Sequence, residues 1–334
     1  MRGFGDDDQD YAQFLKSRRC ETNTAAARIT ALVTESGIID AHAHVFRPAA
    51  VSPRGVDQLA PAERDAPVED LLELMASSGV QAAVLVPLDA HDDYVAQVLT
   101  EYPETFAAIA VATSAELLAG GARGVESLRA RRASFGFHGL RTQWLGEPGH
   151  PVTDSPAMTV LRYLADEGLL LWTYLPPDQL PLLPDVVREL PELRVVLNHL
   201  GFCPHDMWVD EHRRPRFDDP FPESTVQRVL QLSEADGVHL MVSGQYALST
   251  RKPPYSDLFQ VTHRFAEAYG PQRLLWASDY PWTRDVPGYQ TLLDVAPATL
   301  PHLDTDDLAQ VLGGTARTLF PHLAGEPTSG TTGP

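Results

Sequence analysis

The sequence predicts a closed barrel of eight parallel strands wrapped in helices, a single-domain (β/α)8 or TIM barrel, on three observations. Short apolar runs alternate about eight times with segments of helical period along the 334-residue chain. The runs are too continuously apolar to have a solvated face, which is typical of parallel strands covered on both sides. The alternative is an open doubly wound sheet, but the turn after the first run, 41–44, reads AHAH and lacks the glycine-rich motif of that fold.

The elements follow from this alternation. The predicted strands are Ile38–Phe46, Gln81–Leu88, Phe106–Val111, Gly136–Trp144, Leu169–Leu175, Arg194–Leu200, Val238–Ser243 and Leu274–Ser278. The predicted helices are Val68–Ser78, Tyr94–Glu101, Gly124–Ala133, Pro156–Glu167, Leu180–Leu190, Thr225–Ser233 and Leu258–Tyr269.

The two ends of the chain are set apart from the barrel, which we expect to span residues 36–324. Residues 1–35 contain a run of three aspartates and a helical-looking stretch, so we predict an N-terminal arm that packs on the barrel or pairs with a second subunit in a homodimer. Residues 325–334 have the composition of a disordered tail.

The charge balance argues against two classes of partner. The chain carries 45 acidic and 26 basic residues, a formal charge of -19, so neither nucleic acid nor an anionic membrane surface is an expected partner. Two cysteines are too few for a disulfide framework, and the start lacks the pattern of a signal peptide. We therefore expect a cytoplasmic protein.

Polar side chains gather at the predicted strand ends, where a barrel of this kind builds its active site. His42 and His44 end the first strand and, as residues i and i+2, should point to the same face. His199 follows the sixth strand and Asp279 follows the eighth. The alternative is structural: buried histidines with hydrogen-bond partners, and an aspartate that caps a helix.

Other strand ends offer candidate pocket residues. Arg141 ends the fourth strand and Tyr174 the fifth. Ser243 and Gln245 follow the seventh strand, and His205 lies in the loop after the sixth, so we expect these three to touch substrate. No G-x-S-x-G motif is present, which argues against a serine nucleophile.

Three segments in this order resemble the amidohydrolase superfamily, in the amidohydrolase-related branch that holds lactonases and decarboxylases. They are 39–44 (IDAHAH), 198–201 (NHLG) and 276–282 (WASDYPW). The resemblance spans nearly the whole barrel. It implies a (β/α)8 fold, a His-x-His pair on the first strand, a reactive aspartate on the eighth, and hydrolysis or decarboxylation of a substrate that bears a carbonyl group.

One departure from the family pattern bears on the mechanism. The metal-dependent members usually end strand five in a histidine, and this sequence has none there. The gap resembles lactonases that work without bound metal. That resemblance implies that Asp279 deprotonates the attacking water, that the three histidines polarise the carbonyl oxygen, and that Arg141 and Tyr174 hold the substrate.

Three alternatives stay open at this point. His42, His44, His199 and Asp279 could instead bind one divalent metal, with zinc as the expected ion. The chain could be a metal-dependent decarboxylase or C–N hydrolase on the same barrel, or a non-catalytic binding subunit. In the catalytic case, the aromatic loop after His199, poor in positive charge, indicates a small-molecule substrate with at most one carboxylate and a sizeable apolar part.

Overall fold

Eight parallel strands, each paired with the next along the chain, form the centre of the part of the chain described here. The computed structural model describes residues 37–324. The predicted N-terminal arm, 1–35, and the predicted tail, 325–334, lie outside the described residues. The strands are β1 (Ile38–Ala43), β2 (Val80–Leu85), β3 (Phe106–Val111), β4 (Gly139–Thr142), β5 (Leu170–Thr173), β6 (Arg194–Leu197), β7 (Val238–Val242) and β8 (Leu274–Trp276).

This arrangement confirms the predicted barrel and its eight strands, although most strands are shorter than expected. The fourth prediction began at Gly136, but Gly136 ends the preceding helix in a left-handed conformation (φ 68°), so β4 starts only at Gly139. An antiparallel pair that was not predicted, Trp208–Val209 with Pro215–Arg216, lies between β6 and β7.

Helices cover the outside of the barrel between successive strands. The α-helices are Val68–Ser78, Asp93–Glu101, Ser114–Leu118, Gly121–Phe135, Ala157–Asp166, Leu183–Glu189, Glu223–Leu232, Gln245–Leu248, Phe259–Tyr269, Tyr289–Thr299, Thr305–Ala309 and Thr315–Leu319. The helices after β8 were not predicted, and two prolines, Pro287 and Pro297, interrupt the helical pattern in that stretch.

The sheet closes between β1 and the segment that follows β8. Two backbone bonds join them: the His44 N–H donates to the Tyr280 carbonyl (2.7 Å), and the Asp279 N–H donates to the His42 carbonyl (3.0 Å). These bonds place the end of β1 beside Asp279. His42 and His44 at that end, like Asp279, are site candidates from the sequence.

The buried Asp40 carboxylate reinforces this closure. Its Oδ1 accepts the N–H groups of Ser278 (2.9 Å) and His42 (3.2 Å). Its Oδ2 accepts the hydroxyl groups of Ser278 (2.5 Å) and Tyr289 (2.9 Å). Asp40 on β1 therefore binds both the segment just after β8 and the helix Tyr289–Thr299.

Two apolar cores lie inside and outside the strands. The inner core contains alternate strand residues such as Ile39, Ile109 and Trp172, and Phe320 from the last described segment joins it. The outer core fills the space between strands and helices. Because strand residues alternate between the two cores, the position of a polar residue at a strand end determines which way its side chain points.

None of the helices in residues 37–324 has the length and apolar character needed to span a bilayer. The cytoplasmic location stays a prediction.

Replacement of Asp40 should separate two contributions to the free energy of unfolding: its hydrogen bonds, which stabilise the fold, and the burial of its charge, which destabilises it. Asp40→Ala leaves the Ser278 and Tyr289 hydroxyls without their acceptor, so the free energy of unfolding should fall by about 3 kcal/mol. Asp40→Asn keeps an acceptor oxygen, and the two hydroxyls can rotate, so its loss should be smaller. Urea unfolding measures both.

The pH dependence of the free energy of unfolding is the control for the role of Asp40. Burial raises the pKa of Asp40 to about 6, although hydrogen bonds from Ser278, His42 and Tyr289 oppose the rise. Between the ordinary value of 3.8 and about 6 the unfolded chain has released this proton and the folded chain has kept it, so stability falls as the pH rises. Asp40→Asn should lack this decline; an unchanged decline would contradict the assignment.

Candidate active site

Four buried polar side chains converge at the C-terminal mouth of the barrel. His42 and His44 come from the end of β1, His199 from the turn after β6 and Asp279 from the turn after β8, and each is 7% exposed or less. The Nε2 atoms of His42 and His44 lie 3.2 Å apart. The carboxylate of Asp279 lies 3.7, 3.5 and 3.7 Å from the Nε2 atoms of His42, His44 and His199.

A local irregularity in β1 aims the two histidines into the mouth. Ala41 lies in the inner core and Ala43 in the outer core, and the register with β2 shifts between Asp40 and Ala43. A shift of this kind changes the phase of the alternation. His42 therefore reaches the inner residue Trp172 although its neighbour Ala41 also faces inward.

His42 receives a hydrogen bond from strand five. The indole Nε1–H of Trp172 donates to His42 Nδ1 at 3.1 Å, and the two rings are within 10° of parallel. Burial, together with His44, lowers the pKa of His42 well below its ordinary value, so the ring is neutral near pH 7. Because an indole N–H only donates, His42 Nδ1 offers its lone pair and the ring proton lies on Nε2.

His44 has the complementary arrangement. Its Nδ1 lies 2.6 Å from the carbonyl oxygen of Val86, just after β2. A carbonyl oxygen only accepts, so His44 carries a proton on Nδ1, and its Nε2, which faces the Nε2–H of His42, is the acceptor of that contact. The 3.2 Å contact between the two rings is then a hydrogen bond from His42 to His44.

His199 is held by the turn after β7. Its Nδ1 lies 2.9 Å from the Ser243 hydroxyl, and its Nε2 faces the Asp279 carboxylate. Burial lowers the pKa of His199. The Ser243 hydroxyl can donate to Nδ1, and the ring proton then lies on Nε2, where its N–H points towards the carboxylate. Gly244 is required beside it, because a Cβ atom there would lie 2.8 Å from the His199 Cβ.

Asp279 keeps one oxygen free. The Tyr246 hydroxyl donates to Oδ2 at 2.5 Å, whereas Oδ1 is buried without a hydrogen bond among the described residues. Burial alone would raise the pKa of Asp279, but His199, His44 and His42 outweigh burial and hold it well below its usual range. The group is therefore an ionised carboxylate with one oxygen available to accept a proton.

Two cluster residues adopt a backbone conformation that non-glycine residues rarely use. His199 has a φ of 45° and Asp279 a φ of 56°. Such left-handed residues cost of order 1 kcal/mol or more and persist where the surrounding structure holds them. The turns after β6 and β8 thus carry strain at the two positions that face each other across the mouth.

Arg141 and Tyr174 lie together next to the cluster. The guanidinium of Arg141 sits over the Tyr174 ring, 4.7 Å from its centroid, and the Tyr174 ring lies 6.0 Å from the His199 ring. Within residues 37–324 neither the guanidinium nor the Tyr174 hydroxyl makes a hydrogen bond or an ion pair. Both therefore have free donors for a substrate.

Other predicted pocket residues have different positions. Ser243 touches His199, as described above. Gln245 is buried in the short helix after Gly244, and its side chain makes no hydrogen bond within the described residues. His205 bonds the Cys203 carbonyl (2.9 Å) and lines a surface cavity with Pro177 and Arg228; none of the four cluster residues lines that cavity.

Sequence reasoning missed Trp172 and Tyr246. Trp172 is an apolar-looking residue in the middle of an apolar strand, and no motif marks its N–H as a donor. Tyr246 lies in a short helix after β7, and nothing in the sequence pairs it with Asp279. Only the parity of β5 could have helped, because it places Trp172 on the same face as Leu170, another inner-core residue.

The Trp282 ring packs beside His44 at the mouth of the barrel. The Trp282 ring lies 5.9 Å from the His44 ring, and the Arg64 guanidinium lies over Trp282 at 4.8 Å from its centroid. Arg64 and Arg284 also line an outer cavity together with Glu63 and Asp285. This outer cavity therefore carries charges of both signs.

The cluster has part of the ligand set of a metal site. Ligand atoms of His42, His44 and Asp279 all lie within 4.8 Å of one another, as a metal-binding group requires. His44 and Asp279 fit, because each presents a lone pair. His42 does not fit in this arrangement: its Nδ1 accepts the Trp172 N–H, so its Nε2 carries a proton where a metal would need a lone pair.

Comparisons with known proteins agree with the sequence motifs. The family model described as Amidohydrolase matches residues 39–322. The L-fucono-1,5-lactonase of Burkholderia ambifaria is 26% identical over 254 residues, 74% of this chain and 81% of that protein. The 4-sulfomuconolactone hydrolase of Rhizobium radiobacter is 26% identical over 273 residues, 78% of this chain and 81% of that protein.

A similar solved structure shows the shared fold. It is an amidohydrolase from Burkholderia multivorans with bound zinc, with a TM-score of 0.66 and 21% identity; the match covers 85% of this chain and 99% of that chain.

Removal of the Tyr246 hydroxyl should raise the pKa of Asp279. In Tyr246→Phe the carboxylate loses a charge-assisted hydrogen bond that stabilises only its ionised form, so its pKa should rise by about 1. The 13C shift of the Asp279 carboxyl, followed by NMR as a function of pH, measures this. Tyr289→Phe is the matched control, since Tyr289 donates to Asp40 instead. Equal titration in both variants would contradict the assignment.

Proposed function

Because the chain belongs to the amidohydrolase family, we propose that it is a hydrolase that opens a lactone or a related cyclic ester by attack of water on the carbonyl carbon. The observation that carries this proposal is the free, ionised Oδ1 of Asp279 beside imidazole N–H donors. A general base and oxyanion donors within one small space are what ester hydrolysis requires. The names of the two curated relatives, a lactonase and a lactone hydrolase, support the substrate class.

Asp279 acts as the general base in this mechanism. Its Oδ1 takes a proton from water as the water oxygen adds to the lactone carbonyl carbon. The resulting tetrahedral intermediate then collapses, the ring C–O bond breaks, and the leaving oxygen receives the proton held by Asp279. The product is a hydroxy acid, and the carboxylate is restored.

The histidines divide into donors and an acceptor. With substrate bound, His42 donates its Nε2–H to the carbonyl oxygen in place of His44, and His199 donates its own Nε2–H, as negative charge develops on that oxygen. His44 presents a lone pair at Nε2 and suits the attacking water, from which it accepts a hydrogen bond. This refines the sequence-based expectation, in which all three histidines polarise the carbonyl.

Arg141 and Tyr174 bind the rest of the substrate. A guanidinium with free donors is suited to one carboxylate, and the phenol beside it can donate to a ring or hydroxyl oxygen. We therefore propose a small molecule with a carbonyl group and at most one carboxylate. A measured preference for a compact tricarboxylate would contradict this substrate class.

Asp279→Asn should lower turnover by orders of magnitude, because an amide cannot take the proton from water. Hydrolysis of a panel of aryl and alkyl lactones, followed by acid release, measures this, and circular dichroism checks the fold. Asp185→Asn is the matched control on an exposed ion pair and should keep normal activity. Near-normal turnover in Asp279→Asn would remove Asp279 from the chemistry.

Chelation should leave turnover intact, since the mechanism passes through no metal. Purified protein is dialysed against a chelator, its metal content is measured by mass spectrometry, and lactone hydrolysis is assayed. Stoichiometric zinc whose removal abolishes turnover would favour the metal-dependent alternative. Release of carbon dioxide from an aromatic acid would indicate the decarboxylase, and no turnover with tight ligand binding would indicate a binding subunit.

A further inference from the structure

Trp172 is a residue of the inner core whose side chain directs an N–H at a ring nitrogen of the cluster. It lies on β5, fully buried, in contact with the Phe320 ring on its other side. Its Nε1–H reaches His42 Nδ1 at 3.1 Å, with the two rings nearly parallel. The lone pair of Nδ1 lies in the plane of the imidazole ring, and the 3.1 Å separation is within hydrogen-bonding range.

The donor leaves His42 a single neutral form. With Nδ1 as the acceptor, the ring proton must lie on Nε2, where it faces His44 and Asp279. The opposite neutral form would place two N–H groups against each other in a buried site. His44 matches this choice, because the Val86 carbonyl keeps its proton on Nδ1 and its lone pair on Nε2.

We propose that Trp172 is a positioning residue that holds His42 as the Nε2–H form and thereby turns a potential metal ligand into a hydrogen-bond donor for the substrate. Binding of a metal at His42 Nε2 would require either the loss of the Trp172 hydrogen bond or the removal of a second proton from the ring. Both are unfavourable in a buried site, so His42 presents a donor.

The assignment rests on the proposed function only for the partner of the His42 N–H, namely the lactone carbonyl. The form of His42 itself is a property of the protein without substrate. Measurements on the ring and on metal binding therefore test the inference separately from any assay of hydrolysis.

NMR of the whole protein with 15N-labelled histidine gives the first test. Long-range proton–nitrogen correlation distinguishes ring nitrogens with and without a proton, and His42→Gln assigns the signals. In the unchanged protein, Nδ1 of His42 should lack a proton and Nε2 should carry one. A proton on Nδ1 would overturn the proposal without any variant at Trp172.

The second test removes the donor and keeps the aromatic shape. In Trp172→Phe the form with a proton on Nδ1 should become populated, and Zn2+ titrated into the protein should bind about tenfold tighter or more. Trp282→Phe is the matched control: Trp282 packs near His44 but donates no hydrogen bond to a histidine among the described residues, so the His42 signals and zinc affinity should not change.

Two results would overturn the proposal: unchanged zinc affinity and His42 signals in Trp172→Phe, or equal changes in Trp282→Phe. If Trp172→Phe fails to fold, zinc titration of the unchanged protein decides, since tight stoichiometric binding that shifts His42 Nε2 contradicts the inference. Inactivity of the unchanged protein on every lactone would reject the proposed function and leave this one standing.

Discussion

The closure of the barrel at Asp40 is the interaction on which the site depends. β1 meets the segment after β8 through two backbone bonds. The Asp40 carboxylate adds three hydrogen bonds across that seam, two from Ser278 and one from Tyr289. The His42–His44 pair lies just beyond one side of the seam and Asp279 just beyond the other. A small opening there would separate the carboxylate from the imidazoles, so the same contact that completes the fold sets the distances of the site.

Orientation in the site comes from a second set of groups on other strands. Trp172 fixes His42, the Val86 carbonyl fixes His44, Ser243 fixes His199, and Tyr246 fixes Asp279. Each partner restricts the rotation of the side chain that it contacts, and Trp172 and Val86 also determine where the ring proton lies. The result is an ionised carboxylate beside imidazole rings: burial lowers the pKa of His42 and His199, and the histidines hold the pKa of Asp279 below its usual range.

The sequence predicts a large part of this and misses a definite remainder. Apolar runs and helical periods give the eight strands, and the positions of His42, His44, His199 and Asp279 at strand ends are visible in the motifs. The shift of register near Ala41 cannot be seen in the sequence, because it depends on the pairing of β1 with β2 and no residue type marks it. Partners such as Tyr246 are also invisible, since their role depends on side-chain direction across the barrel mouth.

The absence of a histidine on strand five acquires a physical meaning from Trp172. As a gap in a motif, it indicates only that a ligand is missing. In the structure, Trp172 on this strand donates to Nδ1 of His42, so the ring proton lies on Nε2. In the proposed mechanism, that Nε2–H donates to the developing negative charge. A net charge of -19 on the whole chain has little bearing on that site, where neutral donors and Arg141 surround one carboxylate. The chemistry therefore follows from the position of protons on buried rings, which depends on single hydrogen bonds from neighbouring strands.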